Sequence, residues 1–88
     1  MDVVLLEFPR KGMHSIGFVT NKLPGKEGEY LLSVFIPTSP NPTSGFLEIV
    51  PEKEIIRTDI SVDNALKMIV SAGKASGSVS EKIAAKIT

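Results

Sequence analysis

Three short apolar runs in this chain end on a proline: Val3–Phe8 at Pro9, Tyr30–Ile36 at Pro37 and Phe46–Val50 at Pro51. Proline has no amide proton to give to a helix or an interior ladder, so each run must stop there. Runs this short, rich in Val, Ile, Leu and Phe, read as strands, because helices generally need about 10–12 residues or more. Between the first two runs, "HSIGFVT" (14–20) alternates, with Ile16 and Phe18 on one face and Gly17 and Val19 on the other. "PRKG" joins it to the first strand as a turn, Pro9 presetting φ and Gly12 free to take a positive φ. Asn21–Glu29, with two glycines, Pro24 and several charges, reads as an exposed loop. Tyr30–Ile36 is the most apolar strand and is expected at the centre, while Ile55–Ile60 offers a fifth after a bend at "EKE".

From Ser61 onward the period changes. Val62, Ala65, Leu66, Ile69 and Val70 fall on one helical face, with Ser61 placed to cap, Asp63 in the first turn and Gly73 as the stop. A second short helix is expected at about 79–87, where Ser78 and Glu81 have capping-box spacing and Val79, Ile83 and Ile87 form a stripe. Strands over about 3–60 and helices over about 62–72 and 79–87 make one α+β domain across residues 1–88. The sheet is expected to be five-stranded, mostly antiparallel and partly barrel-like, with an open sheet carrying a helix on one face as the other arrangement.

Composition removes several functions. Ten basic and ten acidic residues cancel, which argues against nucleic acid, whose phosphates call for a net basic face, and leaves room only for a local basic patch. There is no cysteine and a single histidine, so neither a thiolate site nor a multi-histidine metal centre is expected, and no cofactor is implied. No run approaches the roughly 20 apolar residues that cross a bilayer, and no signal peptide is visible. An apolar fraction of 42% is high for 88 residues; it reflects an efficient core or an apolar patch that meets another chain or a bilayer.

The loop "PTSPNPTSG" holds the candidate binding residues Thr38, Ser39, Asn41, Thr43, Ser44 and Gly45. Its prolines restrict the chain, and its hydroxyls and Asn41 suit local turns. Two readings stay open. In one, the loop is a rigid connection that satisfies itself. In the other, N–H groups at Thr43 to Gly45 and nearby hydroxyls hold an anion such as a lipid phosphate or a partner's carboxylate. The loop lacks the glycine spacing and Lys-Ser/Thr ending of a nucleotide-binding P-loop. Arg10 and Lys11 at the first turn are solvated, or face anionic headgroups at about 1 kcal/mol each if a bilayer is near.

No catalytic residue is expected. His14, Asp59 and several serines supply the residue types of a hydrolytic triad, but no Gly-x-Ser-x-Gly elbow accompanies them. His14 reads as a surface histidine beside a turn. Asp59 is expected to tie the strand-to-helix corner through backbone hydrogen bonds.

In this order, "EFPRKGMHSIGFVT", "VFIPTSPNPTSGFLEIVP" and "DISVDNALKMIVSAG" resemble the continuous-vascular-ring-like family, domain of unknown function 502. The resemblance covers roughly Val3 to Gly73, and Pro-Asn-Pro-Thr-Ser-Gly is its most specific string. Members of that family carry two transmembrane helices, absent from this chain, followed by a soluble region similar to it. Members often have an aromatic residue at the position of His14, which argues against catalysis there. The resemblance implies a domain held near a membrane, on the cytoplasmic face by positive-inside logic, in a family without an established activity. Plant members are linked to vascular patterning and membrane trafficking. The function expected is a non-catalytic assembly or protein-interaction module, through a protein partner or self-association. The alternative is a lipid-headgroup or small-anion binding module using the proline loop.

Overall fold

The structure, a computed structural model, describes residues 1–75 and 77–88. Five strands precede two helices: β1 (Asp2–Glu7), β2 (His14–Pro24), β3 (Tyr30–Pro37), β4 (Gly45–Pro51), a 3-10 turn (Glu52–Glu54), β5 (Ile55–Arg57), α1 (Val62–Val70) and α2 (Ser78–Ile87). The sheet order is β4-β3-β2-β1-β5, with every neighbouring pair antiparallel. The α+β reading holds, but the central strand is β2 rather than β3.

Local chemistry explains two departures from the sequence reading. Asn21–Pro24 belongs to β2 instead of the expected loop, because β3 pairs with it at Asn21↔Ser33, Lys22↔Leu32, Leu23↔Leu31 and Pro24↔Tyr30. The ladder jumps from Val19↔Val34 to Asn21↔Ser33, so Thr20 is an extra, bulged residue. β5 ends at Arg57, short of the expected Ile60. There Thr58 Oγ1 donates to Val3 O at 2.6 Å and accepts the Ile60 N–H at 3.2 Å, turning the chain toward α1. Thr58, not Asp59, ties this corner. Asp59 is exposed and pairs with Lys82 Nζ at 3.4 Å.

The sheet is open, yet it cannot be flat. Its edge strands β4 and β5 are joined only by Glu52–Glu54. Four inter-strand spacings would hold the edges of a flat sheet about 19 Å apart. The four peptide steps from Pro51 to Ile55 reach at most about 14 Å. The sheet therefore curls, although no ladder joins β4 to β5 among the described residues. The barrel-like expectation is met as curvature without closure.

One core lies inside the curl: Val4, Leu6, Leu32, Val34 and Ile36, with Phe8, Val19, Val50 and Ile55 against them. The other lies under the helices, where Val3 and Phe18 meet Ile60, Ala65, Met68, Ile69 and Val79. α1 begins as expected, Ser61 Oγ accepting the Asn64 N–H at 3.1 Å. It ends with Gly73 at φ +84°, whose N–H donates to Met68 O at 2.9 Å. α2 is capped by Gly77 without a side-chain bond, so Ser78 is not the expected cap. Docking through Val79 and Ile83 supplies the support that so short a helix lacks alone.

Candidate functional site

Antiparallel pairing brings the turn after β1 and the proline loop after β3 to the same end of the sheet, since Glu7 pairs with His14 and Pro37 with Gly45. The Phe8 and Phe46 rings meet beneath them, 5.3 Å between centroids and tilted by 51°. Arg10 and Lys11 occupy the exposed turn, Arg10 Nε lying 3.3 Å from Met13 Sδ. Arg10, Lys11 and the candidate loop thus share one end of the molecule.

The loop is bonded mainly to itself. The Thr38 N–H donates to Ser44 O at 2.8 Å. Thr38 Oγ1 lies 2.6 Å from Asn41 O and 2.9 Å from Ser44 Oγ, so it can donate to one and accept from the other. Asn41 Oδ1 accepts both the Thr43 N–H at 3.0 Å and Thr43 Oγ1 at 2.7 Å. Ser39 instead reaches out, donating its hydroxyl to Ile69 O at 2.7 Å and fastening the loop to the end of α1. A Cβ on Gly45 would collide with Ile36 O and lie 2.8 Å from Pro37 Cα, which explains why glycine re-enters the sheet. The hydroxyls and the Thr43 N–H that an anion would use are therefore already engaged.

His14 lies beside Ser39, Met68 and Ile69 along a shallow groove of about 230 Å³. Asp59 is at the other end of β1: Thr58 bonds Val3, whereas His14 pairs with Glu7. Four strand residues separate these points by about 13 Å, so His14 and Asp59 do not meet. Among the described residues, no three His, Cys, Asp or Glu side chains gather as a metal site. At the Asp59 end, Arg57 bridges Asp2 at 2.9 Å and Glu52 at 2.8 Å, and Lys22 Nζ approaches Glu52 at 3.6 Å and the Tyr30 ring centroid at 4.2 Å. These contacts fasten β1, β2, β5 and the 3-10 turn.

The surface that residue patterns missed is β4. Phe46, Leu47 and Ile49 are 53%, 66% and 50% exposed on a strand that, among the described residues, pairs with β3 alone. The run "FLEIV" reads as a half-buried strand in isolation, and only Pro51 hints at an edge.

The family described as "Protein of unknown function (DUF502)" matches residues 1–44. The chain is 35% identical over 75 residues to "Protein LIKE COV 2" of Arabidopsis thaliana, covering 82% of this chain and 28% of that protein. It is 31% identical over 75 residues to "Protein LIKE COV 3" of the same plant, covering 82% of this chain and 27% of that protein. The chain thus spans little more than a quarter of these relatives. No solved structure matches it. With sequence identity on this scale across most of its length, the chain belongs to the family of unknown function DUF502, alongside the LIKE COV proteins.

Proposed function

We propose that this domain is a non-catalytic interaction module of a membrane-associated protein, working through the free edge of β4. The observation that carries the reading is an apolar strand with one edge unpaired among the described residues: Leu47 and Ile49 are at least half exposed there. Sheet edges are normally blunted by charge, proline or cover, because unpaired backbone groups recruit other strands. Here the blunting is limited to Glu48, half-buried opposite Val34, and to Pro51 at the end of the strand. No helix among the described residues is long and apolar enough to cross a membrane. In this reading the membrane contact belongs to transmembrane helices like those carried by family members, and the domain lies on the cytoplasmic face.

The test is a photo-activatable benzoylphenylalanine at Leu47, in the protein expressed in its own host cells, with the same group at exposed Glu27 as control. A discrete cross-linked species from position 47 and none from position 27 is expected. No adduct at either position, with the protein at normal abundance, refutes the edge as an interaction site.

A further inference from the structure

We propose that the occupant of the β4 edge is the β4 strand of a second copy of this chain, paired antiparallel about a two-fold axis at Leu47. The proposal rests on the interaction reading above and names its partner. The free hydrogen-bonding groups follow from the hairpin. The Thr38 N–H donates to Ser44 O, and that pair lies in the same register as Pro37↔Gly45 through Leu31↔Pro51. Antiparallel ladders alternate, so Ile36↔Phe46, Val34↔Glu48 and Leu32↔Val50 are the hydrogen-bonded pairs. Pro37 fits this register, lying opposite Gly45 where no N–H toward β4 is required. The N–H and C=O groups of Gly45, Leu47 and Ile49 therefore point away from β3, on the side where no strand among the described residues pairs with β4.

Those groups are self-complementary in one register. With the axis at Leu47, Leu47 faces Leu47 of the second copy and Gly45 faces Ile49 in both directions. Each of these three pairs exchanges two bonds, about six in all. With the axis at Ile49, Leu47 faces Pro51, which has no N–H, and the total falls to about four. With the axis at Glu48, two carboxylates stand opposite each other, which is unfavourable. The Leu47 register places each Glu48 opposite Phe46 instead, so no like charges meet. On the face that carries the helices in each copy, it joins the two exposed Leu47 side chains and sets Ile49 over a glycine.

A single strand pair is a small interface, below about 1,200 Å² in total, so the isolated domain should associate weakly. The chain has no cysteine, so single-cysteine variants report on one position each. Under mild oxidation Leu47→Cys should form a disulfide dimer at least about tenfold faster than Ile49→Cys or Val70→Cys. Facing Cα atoms lie near 5.5 Å only at the axis, within disulfide reach. Light scattering of the unmodified protein should show mass rising from monomer to dimer with concentration. Leu47→Lys should abolish the rise, and because Leu47 is exposed, amide spectra should show that variant folded.

A monomer at millimolar concentration, or a dimer unchanged by Leu47→Lys, overturns the proposal. Faster cross-linking at Ile49→Cys overturns the register. A position-47 photo-adduct whose mass exceeds the monomer by something other than a second copy overturns self-pairing while leaving the interaction module intact. Absence of any adduct removes both.

Discussion

Gly17 sits in the middle of β2, buried on the inside of the curl, where a single added methyl tests whether the sheet wraps as described. A Cβ built there lies 2.5 Å from Val34 Cγ1 and 3.2 Å from Leu6 Cδ2. Carbon atoms rest about 3.5–4.0 Å apart, so Val34 must move by about 1 Å or more. Val34 has no exposed surface and is packed in the same cluster as Leu6, Leu32 and Ile36. Overpacking of this kind costs about 2–3 kcal/mol. Replacing glycine also restricts the unfolded chain, which offsets roughly 0.5–1 kcal/mol. Gly17→Ala should therefore lose about 1–2.5 kcal/mol, which lowers the melting midpoint by about 4–20 °C in a domain of this size.

The decisive assay is a double-mutant cycle in urea. Val34→Ala alone should lose about 2–3 kcal/mol through lost burial and a cavity. In the double variant the new methyl occupies space vacated by the old ones. Its loss should fall below the sum of the single losses by about 1–2 kcal/mol. Losses that add to within about 0.5 kcal/mol would show that positions 17 and 34 do not share space. The packing inside the curl would then be wrong.

Gly45→Ala should be more severe, about 3 kcal/mol or more, because its obstacle is the Ile36–Pro37 backbone and not a movable side chain; urea denaturation measures it. Ser39→Ala should cost about 1 kcal/mol and speed amide exchange in the last turn of α1, because Ile69 O loses its bond from the loop. Glu52→Gln should cost less than about 1 kcal/mol at low salt, since the ion pairs to Arg57 and Lys22 are partly exposed. That difference should shrink toward zero near 1 M salt in thermal melts.

Much of the local structure was legible. Prolines after apolar runs marked where β1, β3 and β4 end to within a residue, and Ser61 and Gly73 marked the limits of α1, because each acts through its own backbone. The candidate loop was legible as a stiff polar segment, with self-bonding as one of two readings its residues allowed. The bond from Ser39 to α1 was not, since its acceptor lies 30 residues away. Asp59 misled for a related reason. Asp and Thr both suit the corner locally, and the nearness of Val3 O selects Thr58.

The sequence by itself determined where the strand cores and the helices lie and where glycine or proline is required, because dihedral preference and side-chain period are local properties. Only the tertiary structure decided that β2 is central and runs to Pro24, that the sheet curls without closing, and that β4 is left at an edge. Those outcomes depend on which backbone groups find partners across the chain. A strand carries the same residues whether one side or both sides of its ladder are filled, so an interaction edge becomes visible only once the pairing is known.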